Sequence, residues 1–184
     1  MSATVPRWSH PAPLRRCRCK NGVRPTWPEV PRFGALLRSH ISSVTDSARP
    51  AFLSGLERSA AARYRTWADA APEHADALLA CAAREDEIAD LVADLFPISP
   101  DDRAAVDQAL PAAVELYYEV FAPYGVMEQL YLQSEAELQG AQAWVQMAEA
   151  IDDPATCEVL ARCTALEQES SHAVKELLVG VRTN

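Results

Sequence analysis

The stretch Phe52-Leu-Ser-Gly-Leu56-Glu57-Arg-Ser-Ala60-Ala-Ala-Arg-Tyr64-Arg-Thr-Trp67-Ala-Asp-Ala-Ala71 repeats apolar residues at steps of three and four. That is the period of a helix with one buried face. The spacing predicts a helix A from about Asp46 to Ala71, stopped by Pro72, which removes a backbone donor and clashes with the preceding turn. Glu57 falls inside the apolar stripe, among Leu53, Ala60, Ala61 and Tyr64.

The same period recurs downstream. Helix B is expected from about Glu73 to Phe96, with Leu78, Ala82, Ile88, Val92 and Leu95 facing inward and Pro97 and Pro100 closing it. Ser99-Pro100-Asp101-Asp102 supplies an N-cap, a first-turn proline and two acids, so Arg103 to Phe121 reads as a further helix despite Pro111. It serves as a long crossover. Helix C follows from about Tyr124 to Ile151, and Asp152-Asp153-Pro154 makes a tight turn into helix D, about Pro154 to Gly180. Short A-B and C-D turns make antiparallel hairpins, so the fold class expected is all-α, an up-down-up-down four-helix bundle.

A chain of 184 residues is long enough for one sizeable core. No apolar run approaches the roughly 20 residues that span a bilayer, so a soluble, cytoplasmic protein without a membrane partner is expected. Residues 1–40 hold eight Lys/Arg against one acid, Glu29, whereas the rest hold nine against 25. So acidic a body disfavours nucleic acid and suits cations. Residues 1–45 are rich in Pro, Arg and Ser and are expected to be disordered, a targeting peptide or basic arm, or outside the true protein, with the bundle occupying 46–184. Cys17 and Cys19 lack the partners of a zinc or iron site, and Cys157 and Cys163 are six apart on different helix faces; the five cysteines read as free thiols in a reducing compartment.

Each of the four helices sends an acid toward its stripe. Beside Glu57, helix B offers Glu85 between Ala82 and Ile88, helix C offers Glu135 with Tyr131 and Leu138, and helix D offers Glu169 with Leu166 and His172. Glu128 and Glu137 compete with Glu135 for the helix C position. Buried carboxylates need cations, shared protons or partner bases. Glu169-Ser-Ser-His172 has the Glu-x-x-His spacing that puts an oxygen and an imidazole nitrogen on one helical face, within reach of one ion.

On Glu57 through Tyr64, Glu135 through Glu149 and Ala165 through His172, the chain resembles the ferritin-like superfamily, and within it the rubrerythrin-type diiron proteins, over roughly Ser54 to Leu178. The resemblance implies a ferritin-like antiparallel bundle with a long B-C crossover. It also implies metal ligands Glu57, Glu85, Glu135, Glu169 and His172, one or two iron ions, and an oxidase or peroxidase acting on dioxygen or hydrogen peroxide. No rubredoxin-like module follows helix D, so the electron donor would be a separate protein. Helix B departs from the family pattern, because Ile88 stands where a second Glu-x-x-His would place its histidine.

That departure sets a second expectation beside the first: a metal-free ferritin-like bundle serving as an interaction or dimerisation module, with a homodimer as the default assembly. The plainer reading of His172 is a partly exposed histidine near a helix end, beside the polar Ser170 and Ser171. For Glu57 and Glu85 it is pairing with Arg84 or Arg63, or a place at the stripe edge that reaches water. For Tyr64, Trp67, Tyr131 and Trp144 it is core packing.

Overall fold

A computed structural model of the chain describes residues 27–182. Among them there are seven helices and no strand: α1 (Phe33–Leu36), α2 (Arg38–Ile41), α3 (Arg49–Ala70), α4 (Ala75–Leu95), α5 (Pro100–Phe121), α6 (Val126–Glu149) and α7 (Pro154–Arg182). A 3-10 turn, Pro72–His74, joins α3 to α4. Helices A, B, C and D correspond to α3, α4, α6 and α7, and the crossover is α5.

Local chemistry sets the ends. Ser99 Oγ accepts the Asp102 amide at 3.1 Å, with Pro100 in the first turn of α5. Gly125 caps α6, its amide donating to Glu128 Oε2 at 2.9 Å. Asp153 Oδ2 receives the Thr156 amide at 2.9 Å at the start of α7. No helix among the described residues is long and apolar enough to cross a membrane.

Helix α3 packs along α4, α6 along α7, and α4 against α7, while α5 lies on α3 and α2. The backbones of α3 and α6 stay farther apart and meet through long side chains: Arg63 with Gln133, Tyr64 with Glu137 and Trp67 with Gln129. Two apolar clusters fill the space between these helices. One gathers Tyr64, Trp67, Leu78, Leu130, Leu132 and Val174; the other gathers Ile88, Val92, Trp144, Leu160, Cys163 and Leu166. A third, with Leu37, Val44, Phe52 and Val106, secures α2 and α5 to the start of α3.

The packed part of the chain begins ahead of the expected boundary near residue 45. Residues 27–45 lie on the helices: Trp27 stacks on Tyr131 with ring centres 4.8 Å apart, and Phe33 sits 4.9 Å from Tyr117. Gln139 clamps this segment through both amide atoms, accepting the Phe33 amide and donating to the Pro31 carbonyl, each at 2.9 Å. Its prolines and arginines prevent a long helix, but Trp27, Phe33, Leu37 and Val44 provide enough apolar surface to hold it. The rest of the basic head, residues 1–26 with Cys17 and Cys19, lies outside the described residues.

Candidate metal centre

Where the two main apolar clusters meet, each of four helices contributes one carboxylate: Glu57 from α3, Glu85 from α4, Glu137 from α6 and Glu167 from α7. One oxygen each of Glu57, Glu85 and Glu167 lie within 4.8 Å of one another. Glu85, Glu137 and Glu167 are at most 3% exposed. Glu57 retains some accessible surface because it lines a cavity that opens toward solvent.

Four acids this close repel, and the surroundings offset part of that. Glu57 lies beside Glu85, and Glu137 beside Glu167, near enough for each pair to share a proton. Burial first, then the charge of Glu137, pushes the Glu57 carboxyl up to about 8, against the opposing pull of Arg63. Burial followed by the neighbouring carboxylates drives Glu85 and Glu167 well above the ordinary range. Neutral donors fix the geometry: Tyr64 OH and Gln133 Nε2 reach Glu137 Oε1 at 2.6 and 2.7 Å, Trp144 Nε1 reaches Glu167 Oε1 at 3.0 Å, and Ser170 Oγ reaches Glu85 Oε1 at 3.0 Å.

Arg63 supplies the nearby positive charge. Only 6% exposed, it donates to Gln133 Oε1 at 2.8 Å, and its guanidinium carbon lies 4.4 Å from the Phe121 ring centre and 4.5 Å from that of Tyr117. Ring faces stabilise the cation without neutralising it. Even so, Glu85 Oε2 and Glu167 Oε2 are buried with no N–H or O–H donor among the described residues. Only a proton or a cation can satisfy them.

Of the five ligands expected from sequence, the structure brings together Glu57 and Glu85. Glu135 points away, its Oε1 2.9 Å from Lys175 Nζ. Glu169 is exposed beside Arg84 and Arg162, at 3.2 and 3.7 Å, and His172 is exposed. The reason is helical phase. Two residues along a helix rotate the side chain by roughly 200°, so Glu137 and Glu167 turn inward as Glu135 and Glu169 turn out. On α7 the buried stripe runs Leu160, Cys163, Glu167, Ser170, Val174, Leu178, and reading Ser170 and Ser171 as a polar surface hides it.

A duplication in the sequence marks the same acids. Ser54-x-x-Glu57-x-x-x-Ala61-x-x-Tyr64 on α3 is matched by Ser134-x-x-Glu137-x-x-x-Ala141-x-x-Trp144 on α6. Cys81-x-Ala-x-Glu85-x-Glu87 on α4 is matched by Cys163-x-Ala-x-Glu167-x-Glu169 on α7. Equivalent positions do equivalent work: Tyr64 and Trp144 each donate to an acid of the cluster. Three residues beyond Glu85 and Glu167 stand Ile88 and Ser170, both fully buried, so neither helix brings an imidazole to the centre. The donor set does not fit a nitrogen-bearing diiron centre. It fits an ion that accepts oxygen ligands alone.

A cavity of about 140 Å³ adjoins the acids between α1, α3 and α6, with Phe33, Leu37, Leu53 and Leu56 among its walls and Glu57, Glu137 and Glu167 in its lining. Comparison with protein-family models, curated proteins and solved structures finds no match to the chain.

Proposed function

We propose that this protein is a metal-binding four-helix bundle of the ferritin-like kind, in which Glu57, Glu85, Glu137 and Glu167 hold iron or another hard divalent cation. The antiparallel pairs α3–α4 and α6–α7, bridged by α5, support the bundle reading. The observation that carries the metal reading is the pair of orphaned oxygens, Glu85 Oε2 and Glu167 Oε2, inside a buried cluster of acids that only protons or a cation can satisfy. Carboxylates select hard ions, and four of them balance two divalent charges.

When bound, such an ion would supply Lewis-acid chemistry; the dioxygen or peroxide chemistry that the resemblance implies would need imidazole ligands that the centre does not offer. The chain's own part is to hold the acids in place through Tyr64, Trp144 and Ser170, and to keep them in an environment poor in water.

The proposal is tested by elemental analysis of protein expressed with added iron and manganese. The parent should hold one or two ions per chain, Glu57→Gln/Glu167→Gln should hold few, and Glu169→Ala/His172→Ala should match the parent. A parent without metal after this treatment overturns it. That result would favour a metal-free interaction module, a reading supported by the Glu57–Glu85 and Glu137–Glu167 pairs, in which shared protons can lower the charge.

A further inference from the structure

We propose that the cavity between α1, α3 and α6 is a binding pocket for a short aliphatic primary ammonium, with its alkyl body against Phe33, Leu37, Leu53 and Leu56 and its NH3+ on Glu57, Glu137 and Glu167. Metal binding neither requires nor explains this space. An ion would sit among the carboxylates, whereas most of the cavity wall is apolar.

Size sets the first limit. A cavity of about 140 Å³ is close to the roughly 150 Å³ that accommodates benzene, so the ligand has about five or six non-hydrogen atoms. Small residues keep the space open beside the acids. Ala60, Ala136, Gly140 and Ala143 all line it, and a Cβ on Gly140 would fall 2.4 Å from Glu167 Oε1.

Charge sets the second. Three carboxylates face the cavity and Glu167 Oε2, on a residue 1% exposed, lacks any donor. A primary ammonium carries three N–H donors and no acceptor, which suits three carboxylates; an alcohol carries one donor and a carboxylate ligand would be repelled. Arg63 also lines the cavity; one guanidinium nitrogen donates to Gln133 and the group lies against the faces of Tyr117 and Phe121, while Nε and Nη1 have no acceptor among the described residues. Against three acids it supplies a single positive charge. An alkylammonium and a metal ion draw on the same carboxylates and should exclude one another.

The test is calorimetric titration of the metal-stripped full chain, near neutral pH, with n-butylammonium chloride, n-butanol and sodium butyrate. Butylammonium should bind one per chain with a Kd of about 1 mM, a fair affinity for so small a ligand. Butanol should bind at least about tenfold more weakly and butyrate should not bind, because the charge-assisted contacts are lost or reversed. Ala143→Phe, placed on an exposed residue of the cavity lining, should abolish binding while leaving the helical circular dichroism unchanged. Glu137→Gln should weaken it about tenfold. Added Mn2+ should displace the amine. Equal binding of butanol and butylammonium, or no saturable binding of butylammonium, overturns the proposal. Metal content measured on the parent protein before stripping separates the two readings: metal held there without amine binding afterwards refutes the pocket alone, and amine binding by a protein that held no metal refutes the metal centre alone.

Discussion

Ser170 on α7 donates its hydroxyl to Oε1 of Glu85 on α4 at 3.0 Å, joining two antiparallel hairpins at the level of the acid cluster. Both side chains are fully buried, and the bond satisfies one oxygen of Glu85 while leaving Oε2 without a donor. A serine in this place anchors a carboxylate without supplying a nitrogen ligand. Ser170→Ala should therefore cost about 1–3 kcal/mol in urea unfolding, since both Glu85 oxygens would then be orphaned. A cost below about 0.5 kcal/mol would show that the bond does not hold the hairpins together.

Stability of the metal-free protein should fall as pH rises. The folded values of Glu57, Glu85 and Glu167 lie above those of the unfolded chain, so the folded state keeps protons that the unfolded state has released. Their contribution is complete below the ordinary value of 4.5 and is lost as pH climbs through the folded values, about 8 for Glu57. Each retained proton gives a slope of about 1.4 kcal/mol per pH unit within that window. Denaturant melts across pH 5 to 9 read it, and saturating Mn2+ should flatten or invert the trend because the ion takes the protons' place.

Arg63→Met should destabilise by about 3–5 kcal/mol in chemical denaturation, because the acids lose their nearby buried cation. Arg63→Lys should recover only part of this. An ammonium cannot lie flat on the rings of Tyr117 and Phe121 while also donating to Gln133.

Gly140→Ala should leave the helical content intact yet lower metal affinity. The added methyl would fall 2.4 Å from Glu167 Oε1, and a carboxylate at the end of a flexible chain yields more readily than backbone. Glu167 would move off Trp144 Nε1, so the change should register in Trp fluorescence as well as in metal titration. A parental Mn2+ isotherm would argue against Glu167 as a ligand.

Phe33→Ala should cost about 3 kcal/mol, within the usual range for removing a buried phenyl ring. The residue lies ahead of the long helices, in a segment whose composition suggests disorder, yet it is 4% exposed and packs on Tyr117 and Phe121. A neutral effect would mean that residues 27–45 are dispensable to the fold.

The sequence by itself determined the helices. Apolar steps of three and four, Pro72, Pro97 and Pro154 at the breaks, and the Ser99 cap are local signals, and α3 to α7 lie within a few residues of where those signals place them. It also determined that acids fall on buried faces, with Glu57 and Glu85 placed by unambiguous apolar neighbours. Only the tertiary structure decided which acids of α6 and α7 turn inward. Glu135 and Glu137, or Glu167 and Glu169, sit two residues apart with polar residues nearby, so each helix permits either phase. Packing against α3 and α4 chose Glu137 and Glu167, because that rotation buries Leu130, Leu132, Leu160 and Val174 while the alternative would bury Glu135 with Lys175 and Glu169 with Arg162. Apolar area removed from water outweighs the cost of burying two carboxyl groups that have donors and protons to share.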